Sequence, residues 1–217
     1  RFTFLMTEKH RIDRYKDLSF INEINSMAVV GVSESRNYFF LRNHQEHFTG
    51  KLYAIHPNIK SIPDFDDGTE GKIYPSVKDV PGELDFVFIA VPRSAIIDII
   101  DDCVEKGVKL ASIFTAEFSD AGTEKGREME RKLLEHAKNK LRILGPNGMG
   151  LYYPKLGISW RPKFPNKQGN VGFIAQSGGI CNLAIYASEE LELDFSKVFS
   201  FGNGADLDFV DLLHFLS

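Results

Sequence analysis

The stretch LGPNGMG at 144–150 decides how the 217 residues are read. It closes a short apolar run, 141–144, with the character of a strand ending. Glycine on both sides of a Pro-Asn pair allows a sharp turn, and asparagine tolerates turn backbone while offering an amide that both donates and accepts. Toward the N-terminus, apolar runs alternate with helical patterns. Toward the C-terminus the same alternation resumes after an irregular, proline-bearing stretch. The loop therefore reads as the seam between two α/β units, a place where ligands commonly sit.

Before the seam, apolar strands are predicted at 26–32, 51–55, 85–91 and 109–114, with helices at 38–48, 94–106 and 123–140 and a polar, mixed leading segment over 1–25. The helix at 94–106 places Ile96, Ile97, Ile100 and Val104 on one stripe, which faces a sheet and leaves Cys103 in or near the core. The strand ends near Gly31, Ile55, Val91 and Phe114 carry Gly, Pro, Ser or Thr rather than bulky apolar side chains. In an open parallel sheet these ends lie on one edge, so their loops converge over one crevice.

The first of these turns, Ser33-Glu34-Ser35-Arg36, joins a strand to a helix start, where N–H groups gather around an anion. It is not a dinucleotide fingerprint, since only Gly31 stands where that motif needs three glycines. The second strand ends in His56-Pro57-Asn58, where an NAD-binding chain would present a carboxylate to the ribose. Lys60 nearby suits a phosphate better than a free ribose. Val91-Pro92 fixes the chain direction before the next helix. The acidic loop with Asp64, Asp66 and Asp67 lacks ordered ligand spacing and reads as a solvated surface rather than a metal site. No metal site is expected elsewhere.

After an irregular linker at 151–168, a strand at 169–175 runs into Gln176-Ser177-Gly178-Gly179 and a helix at 180–191. Small and hydroxyl residues at a strand-to-helix turn again form an anion cradle. The competing nucleophile elbow wants glycine two residues before Ser177, and Ala175 is there instead. A strand at 197–201, the loop GNGADLD and an amphipathic helix at 209–216 complete the chain.

Composition narrows the classes. A hydrophobic fraction of 43% is that of a core-forming protein, and a net charge of −4 gives no general attraction to nucleic acid or anionic membrane. Two cysteines in neither a C-x-x-C pair nor a metal cluster suit a reducing cytoplasm. No apolar run is long enough to span a bilayer. A chain that starts at Arg1 and stops at Ser217 within a helical pattern is expected to be part of something longer.

Taken in order, the first strand and turn at 28–33, GKIYPSVKDVPGELDFVFIAV at 71–91, GPNGMG at 145–150, GNVGFIAQSGG at 169–179 and FGNGADLDFVDLL at 201–213 resemble the CoA-binding part of NDP-forming acyl-CoA synthetases. That group includes ADP-forming acetyl-CoA synthetase and the α subunit of succinyl-CoA synthetase. The resemblance implies an α/β fold: a Rossmann-like CoA-binding domain over 26–150, then the start of a flavodoxin-like ligase domain over 169–217. It implies coenzyme A contacts at Ser33, Glu34, Ser35 and Arg36, at Pro57, Asn58 and Lys60, at Val91 and Pro92, and at Phe114, Thr115 and Ala116. Asn147 is implied near the thiol end. Gln176, Ser177, Gly178 and Gly179 are implied to receive the phosphate of a phosphohistidine intermediate.

The family's reaction joins a small carboxylic acid, CoA and a nucleoside triphosphate. None of the six histidines here has the Gly- and Ala-rich context of the family's phosphorylated histidine, so no catalytic residue is assigned to this chain. ATP/ADP and Mg enter through an ATP-grasp domain or subunit, within a homo- or hetero-oligomer. Two departures stand out: Glu117 where relatives usually have glycine, and Gly148 where they commonly have cysteine. The alternative expectation is a non-catalytic CoA- or acyl-CoA-sensing module, for example fused to a protein acetyltransferase; the distant histidine loop and ATP-grasp part discriminate the two.

Overall fold

A computed structural model describes residues 16–65 and 73–217. The start of the leading segment, Asp66 and Asp67 of the acidic loop, and Gly71 of the second motif lie outside the described residues.

Six strands form one wholly parallel sheet: β1 (Ser26–Val30), β2 (Lys51–Ile55), β3 (Ile73–Tyr74), β4 (Phe86–Ile89), β5 (Leu110–Ile113) and β6 (Arg142–Leu144), in the order β3-β2-β1-β4-β5-β6. Three helices follow strands of this sheet: α1 (Phe39–Gln45), α2 (Ile96–Lys106) and α3 (Glu124–Ala137). A second sheet of three strands, β7 (Gly150–Tyr152), β8 (Val171–Ala175) and β9 (Phe195–Ser200), has the order β7-β9-β8 and carries α4 (Gly178–Glu190) and α5 (Phe209–Leu216).

The apolar runs of the large sheet are continuous because both faces are buried. Met27, Val29, Phe86 and Phe88 point into one core, whereas Ala28, Val30, Val87 and Ile89 point into the other. The second core is closed by α2 and α3 through Ile96, Ile100, Cys103 and Leu133. Ile97 and Val104 of the predicted stripe pack at its margin. Burial pushes the Cys103 thiol well above its ordinary pKa, which suits a packing residue and not a nucleophile.

The first core is shared with the second sheet, since Leu151, Tyr153, Ile158 and Phe199 join it. So do Leu18, Ile21 and Ile24, around a 3-10 turn at Ser19–Glu23; the described end of the leading segment is packed rather than detached.

Several local expectations are corrected. The 3-10 turn Glu34–Arg36 and two left-handed residues, Asn37 and Tyr38, separate the first strand from α1, so the helix does not begin directly at the turn. The linker is not wholly irregular: β7 pairs antiparallel with β9, and Tyr153 bridges Ile158. β3 is likewise a strand of only two residues, too short for alternation to reveal.

Candidate cofactor cleft and phosphate turn

Because every strand of the large sheet is parallel, their C-terminal ends share one edge, and the strand order reverses between β1 and β4. A cleft of about 920 Å³ opens there. Gly31 makes the crossing possible: its φ is +95°, and a methyl group on it would lie 2.4 Å from the Ala90 carbonyl oxygen. The first turn contributes Ser33, Ser35 and Arg36 to the wall. The Ser33 and Ser35 hydroxyls are 2.8 Å apart. Among the described residues the Arg36 guanidinium has no carboxylate partner. The N–H groups of Arg36, Asn37 and Tyr38 are committed to the Ser33 and Glu34 carbonyls, at 2.8–3.3 Å.

From the other strand ends come Pro57, Val91, Pro92, Phe114 and Thr115. Glu34, Asn58, Lys60 and Ala116 sit beside this wall in sequence but do not line the cleft. Asn58 is exposed; its N–H and that of Ile59 both donate to His56 Nδ1 at 3.1 Å, which fixes the loop after β2. Lys60 is exposed as well. The wall also holds residues that the strand-end reading passed over. Pro75, Ser76 and Val77 follow the short β3, and α2 presents Asp98, Ile99 and Asp102. With Ala95 these last form an i, i+3, i+4, i+7 stripe beside the core stripe of the same helix, and that spacing was the available signal. Asp102 is paired with Lys78 at 3.3 Å.

Asn147 lies elsewhere, in a second and polar cavity of about 490 Å³ with Gln176, Ser177 and Gly178. Gly202, Asn203, Ser119 and Asp120 complete it. Gly179, one residue into the helix, does not line it. The 144–150 loop contributes Asn147 to this cavity. The Asn147 N–H donates to the Thr115 carbonyl at 3.0 Å, and the Asn203 N–H donates to that of Pro146 at 2.9 Å. A methyl group on Gly202 (φ +56°) would meet the Pro146 oxygen at 2.1 Å, and one on Gly148 would meet the Ser200 oxygen at 2.5 Å. Glycine at 148 is thus what the close approach of β9 requires.

Thr115 of the cleft wall links the two cavities: its hydroxyl donates to the Val91 carbonyl at 2.5 Å while its carbonyl accepts the N–H of Asn147, which lines the second cavity. Two residues on, Glu117 has φ +73°, the left-handed backbone that favours glycine. Arg93 donates to its carbonyl.

The turn expected to receive a phosphate, Gln176–Gly179, is the N-terminus of α4. Ser177 caps it, its Oγ accepting from the Ile180 N–H at 3.4 Å. The opposing Asp120 is ionised: burial alone would raise its pKa, but the Asn203 amide and the N–H groups of Glu117 and Phe118 outweigh that and hold it below the ordinary range. Asn203 Nδ2 also donates to Glu130 Oε2 at 2.8 Å and to Ser119 Oγ at 3.2 Å, tying the GNGADLD loop to α3. Asp206 of that loop accepts the Ile143 N–H at 2.8 Å, and Asp208 forms a capping box with Asp211 on α5. Cys181, behind the turn, is buried, which pushes its thiol up to about 11.

Residues 25–154 match the family model described as a CoA binding domain. The chain belongs to that CoA-binding family. Residues 168–217 match a family model described as a succinyl-CoA ligase like flavodoxin domain. An acetate–CoA ligase [ADP-forming] II subunit alpha of Pyrococcus furiosus is 36% identical over 195 residues, covering 88% of this chain and 41% of its own. An acetate–CoA ligase [ADP-forming] of Methanocaldococcus jannaschii is also 36% identical, covering 92% and 28%. Among solved structures, the apo form of a dinucleotide forming acetyl-coenzyme A synthetase from Ca. Korarchaeum cryptofilum superposes with a TM-score of 0.80 at 34% identity, over 92% of this chain and 43% of its own. The CoA-binding chain thus spans less than half the length of these relatives.

Among the described residues, no helix is long and apolar enough to cross a membrane, and no group of three or more His, Cys, Asp or Glu gathers as a metal site.

Proposed function

We propose that the chain binds coenzyme A in the strand-end cleft as the CoA-binding portion of an NDP-forming acyl-CoA synthetase. The full protein converts a small carboxylic acid, CoA and a nucleoside triphosphate into acyl-CoA, the diphosphate and phosphate. Acetate and ADP are the acid and nucleotide in the relatives' names. The observation that carries this reading is the hydrogen bond from the Asn147 N–H to the Thr115 carbonyl, which sets a large cleft bearing the Arg36 guanidinium beside a polar pocket headed by a helix N-terminus.

The residues fit the cofactor. Ser33, Ser35 and Arg36, which has no carboxylate partner among the described residues, offer donors to its phosphates, while Val91, Pro92 and Phe114 offer an apolar wall to its less polar parts. CoA supplies the thiol that takes up the acyl group. Asn147 holds the thiol end at the boundary between the two cavities, and Thr115 keeps Asn147 in place. At the second cavity, the N-terminus of α4, through Gln176 to Gly179, favours a phosphate dianion without a side-chain cation. The phosphohistidine and the nucleotide-binding work belong to an ATP-grasp domain or subunit and a histidine loop outside these 217 residues, so the chain alone binds CoA without turnover.

Calorimetric titration with CoA, acetyl-CoA and NAD tests the assignment. CoA and acetyl-CoA are expected to bind and NAD is not; preferential binding of NAD would overturn the reading.

A further inference from the structure

Trp160 is the single tryptophan of the chain and is fully buried. It ties together two helices, one that follows the first turn of the cleft and one whose start lines the second cavity. On one side, its carbonyl accepts Asn43 Nδ2 at 2.8 Å, and the preceding Ser159 donates its N–H to the buried His44 Nδ1 at 3.3 Å. Both partners stand on α1, the helix that follows the Ser33–Arg36 turn. On the other side, the indole Nε1–H donates to Asn182 Oδ1 at 2.8 Å. Asn182 lies one turn into α4, whose first residues are Gly178 and Gly179.

The ring itself is fixed by edge-on contacts to Tyr152 and Phe164, with centroids at 6.2 and 5.8 Å. A buried indole N–H is costly without an acceptor, so the orientation of the ring and that of Asn182 are locked to each other. Near its start α4 is also held by the Cys181 Sγ on the Phe199 carbonyl at 3.6 Å and by the Gly202 N–H on the Gln176 carbonyl at 3.2 Å, but by few buried side chains. Cys181 is the buried residue of its first turn, whereas Ile180 and Leu183 on either side are more than half exposed. Two glycines at the head of a helix add no side-chain packing of their own.

We propose that Trp160 is a positioning residue: through Asn182 it sets the rotation of α4, and with it the aim of the N–H groups at the Gln176–Gly179 turn. The proposal rests on the reading of that turn as a phosphate site. The anchoring of Trp160 on Asn43 and His44 makes the cofactor-binding unit the fixed frame against which the turn is held.

Trp160→Phe keeps the aromatic contacts and removes the donor; Asn182→Ala removes the acceptor and serves if the first variant fails to fold. In the ligand-free protein, amide exchange over 177–182 is expected to quicken about tenfold in either variant, with no further gain in the double variant and no change in α2. The lone indole gives one 1H–15N cross-peak, expected to move when inorganic phosphate is titrated into the wild-type protein. Phosphate affinity is expected to fall about three- to tenfold in either variant, the size of one lost hydrogen bond, while CoA affinity stays within about twofold. Unchanged exchange at 177–182 in both variants overturns the positioning role, as does phosphate binding with an unmoved indole peak and undiminished affinity. Faster exchange without any phosphate binding by the wild-type protein overturns instead the phosphate reading on which the proposal rests.

Discussion

In the strand-end cleft, the wall offers a phosphate the Ser33 and Ser35 hydroxyls and the Arg36 guanidinium, on a turn whose Arg36, Asn37 and Tyr38 N–H groups hold its shape. In the seam pocket, no lysine or arginine lines the wall among the described residues; the start of α4 faces an ionised Asp120 across loops that touch backbone to backbone. The contrast teaches what each region tolerates. A site made of exposed side chains loses function one contact at a time, whereas one made of close backbone approaches fails as soon as a Cβ is added.

The largest expected effect probes that second half. Gly202→Val puts a branched side chain at φ +56° against the Pro146 carbonyl and should cost about 3–5 kcal/mol in urea unfolding. Gly82→Ala, at φ +70° but with nothing within 4 Å of the new methyl, should cost only about 1 kcal/mol. Equal costs would mean that loop-on-loop packing is not what holds the seam.

Asp85 tests the edge of the sheet away from both cavities. It is buried, its Oδ2 accepting from the Asn25 and Ser26 N–H groups at 3.0 and 3.1 Å while Lys109 pairs with Oδ1 at 2.9 Å. Asp85→Ala should lose about 2–3 kcal/mol of stability yet leave CoA affinity within about twofold. Burial alone would raise its carboxyl, but Lys109, the Asn25 N–H and Ser26 outweigh it and the pKa lies below the ordinary 3.8. Its contribution is therefore present above that value and lost as the pH falls through the folded value. A CoA affinity that collapsed with the stability would blur the separation of the two edges.

His44 sharpens the comparison from between the regions. Burial lowers its pKa from 6.5 to about 3, so between those values the unfolded chain takes up a proton that the folded one refuses. Stability should fall as the pH drops from 6.5 toward 3, by about 1.4 kcal/mol per pH unit from this residue. His44→Asn, which keeps an acceptor for Ser159, should flatten that slope in urea titrations between pH 6 and 5 by about that amount. An unaltered slope would show that another group governs acid sensitivity. The smallest change is expected from Arg36→Ala, which should weaken CoA binding about tenfold, or about 1.4 kcal/mol, without altering phosphate binding at α4. An unchanged dissociation constant would remove Arg36 from the site.

How far this was legible in the sequence follows from the same contrast. Strand ends at Gly31, Ile55, Val91 and Phe114 could be read because buried parallel strands are apolar throughout and their ends break that run abruptly. The helix face carrying Asp98, Ile99 and Asp102 has a visible spacing, but with two aspartates on it the sequence does not distinguish it from an ordinary solvated face. Strands of two and three residues, β3 and β7, leave no periodicity to detect, and the left-handed pair Asn37-Tyr38 carries no glycine to announce it. The GPNGMG loop is legible as a sharp turn, but its partner, the Gly202–Gly204 loop, lies more than fifty residues away in sequence. Only the fold brings the two together.

The most direct test of the cleft is a hydrogen-exchange footprint of CoA on the protein. Saturating CoA should slow exchange over 31–36, 56–58, 90–95 and 114–116 and leave the His136 side of α2 and α3 unchanged. Slowing confined to 168–217, or absent from all four strand ends while CoA is bound, would contradict the account.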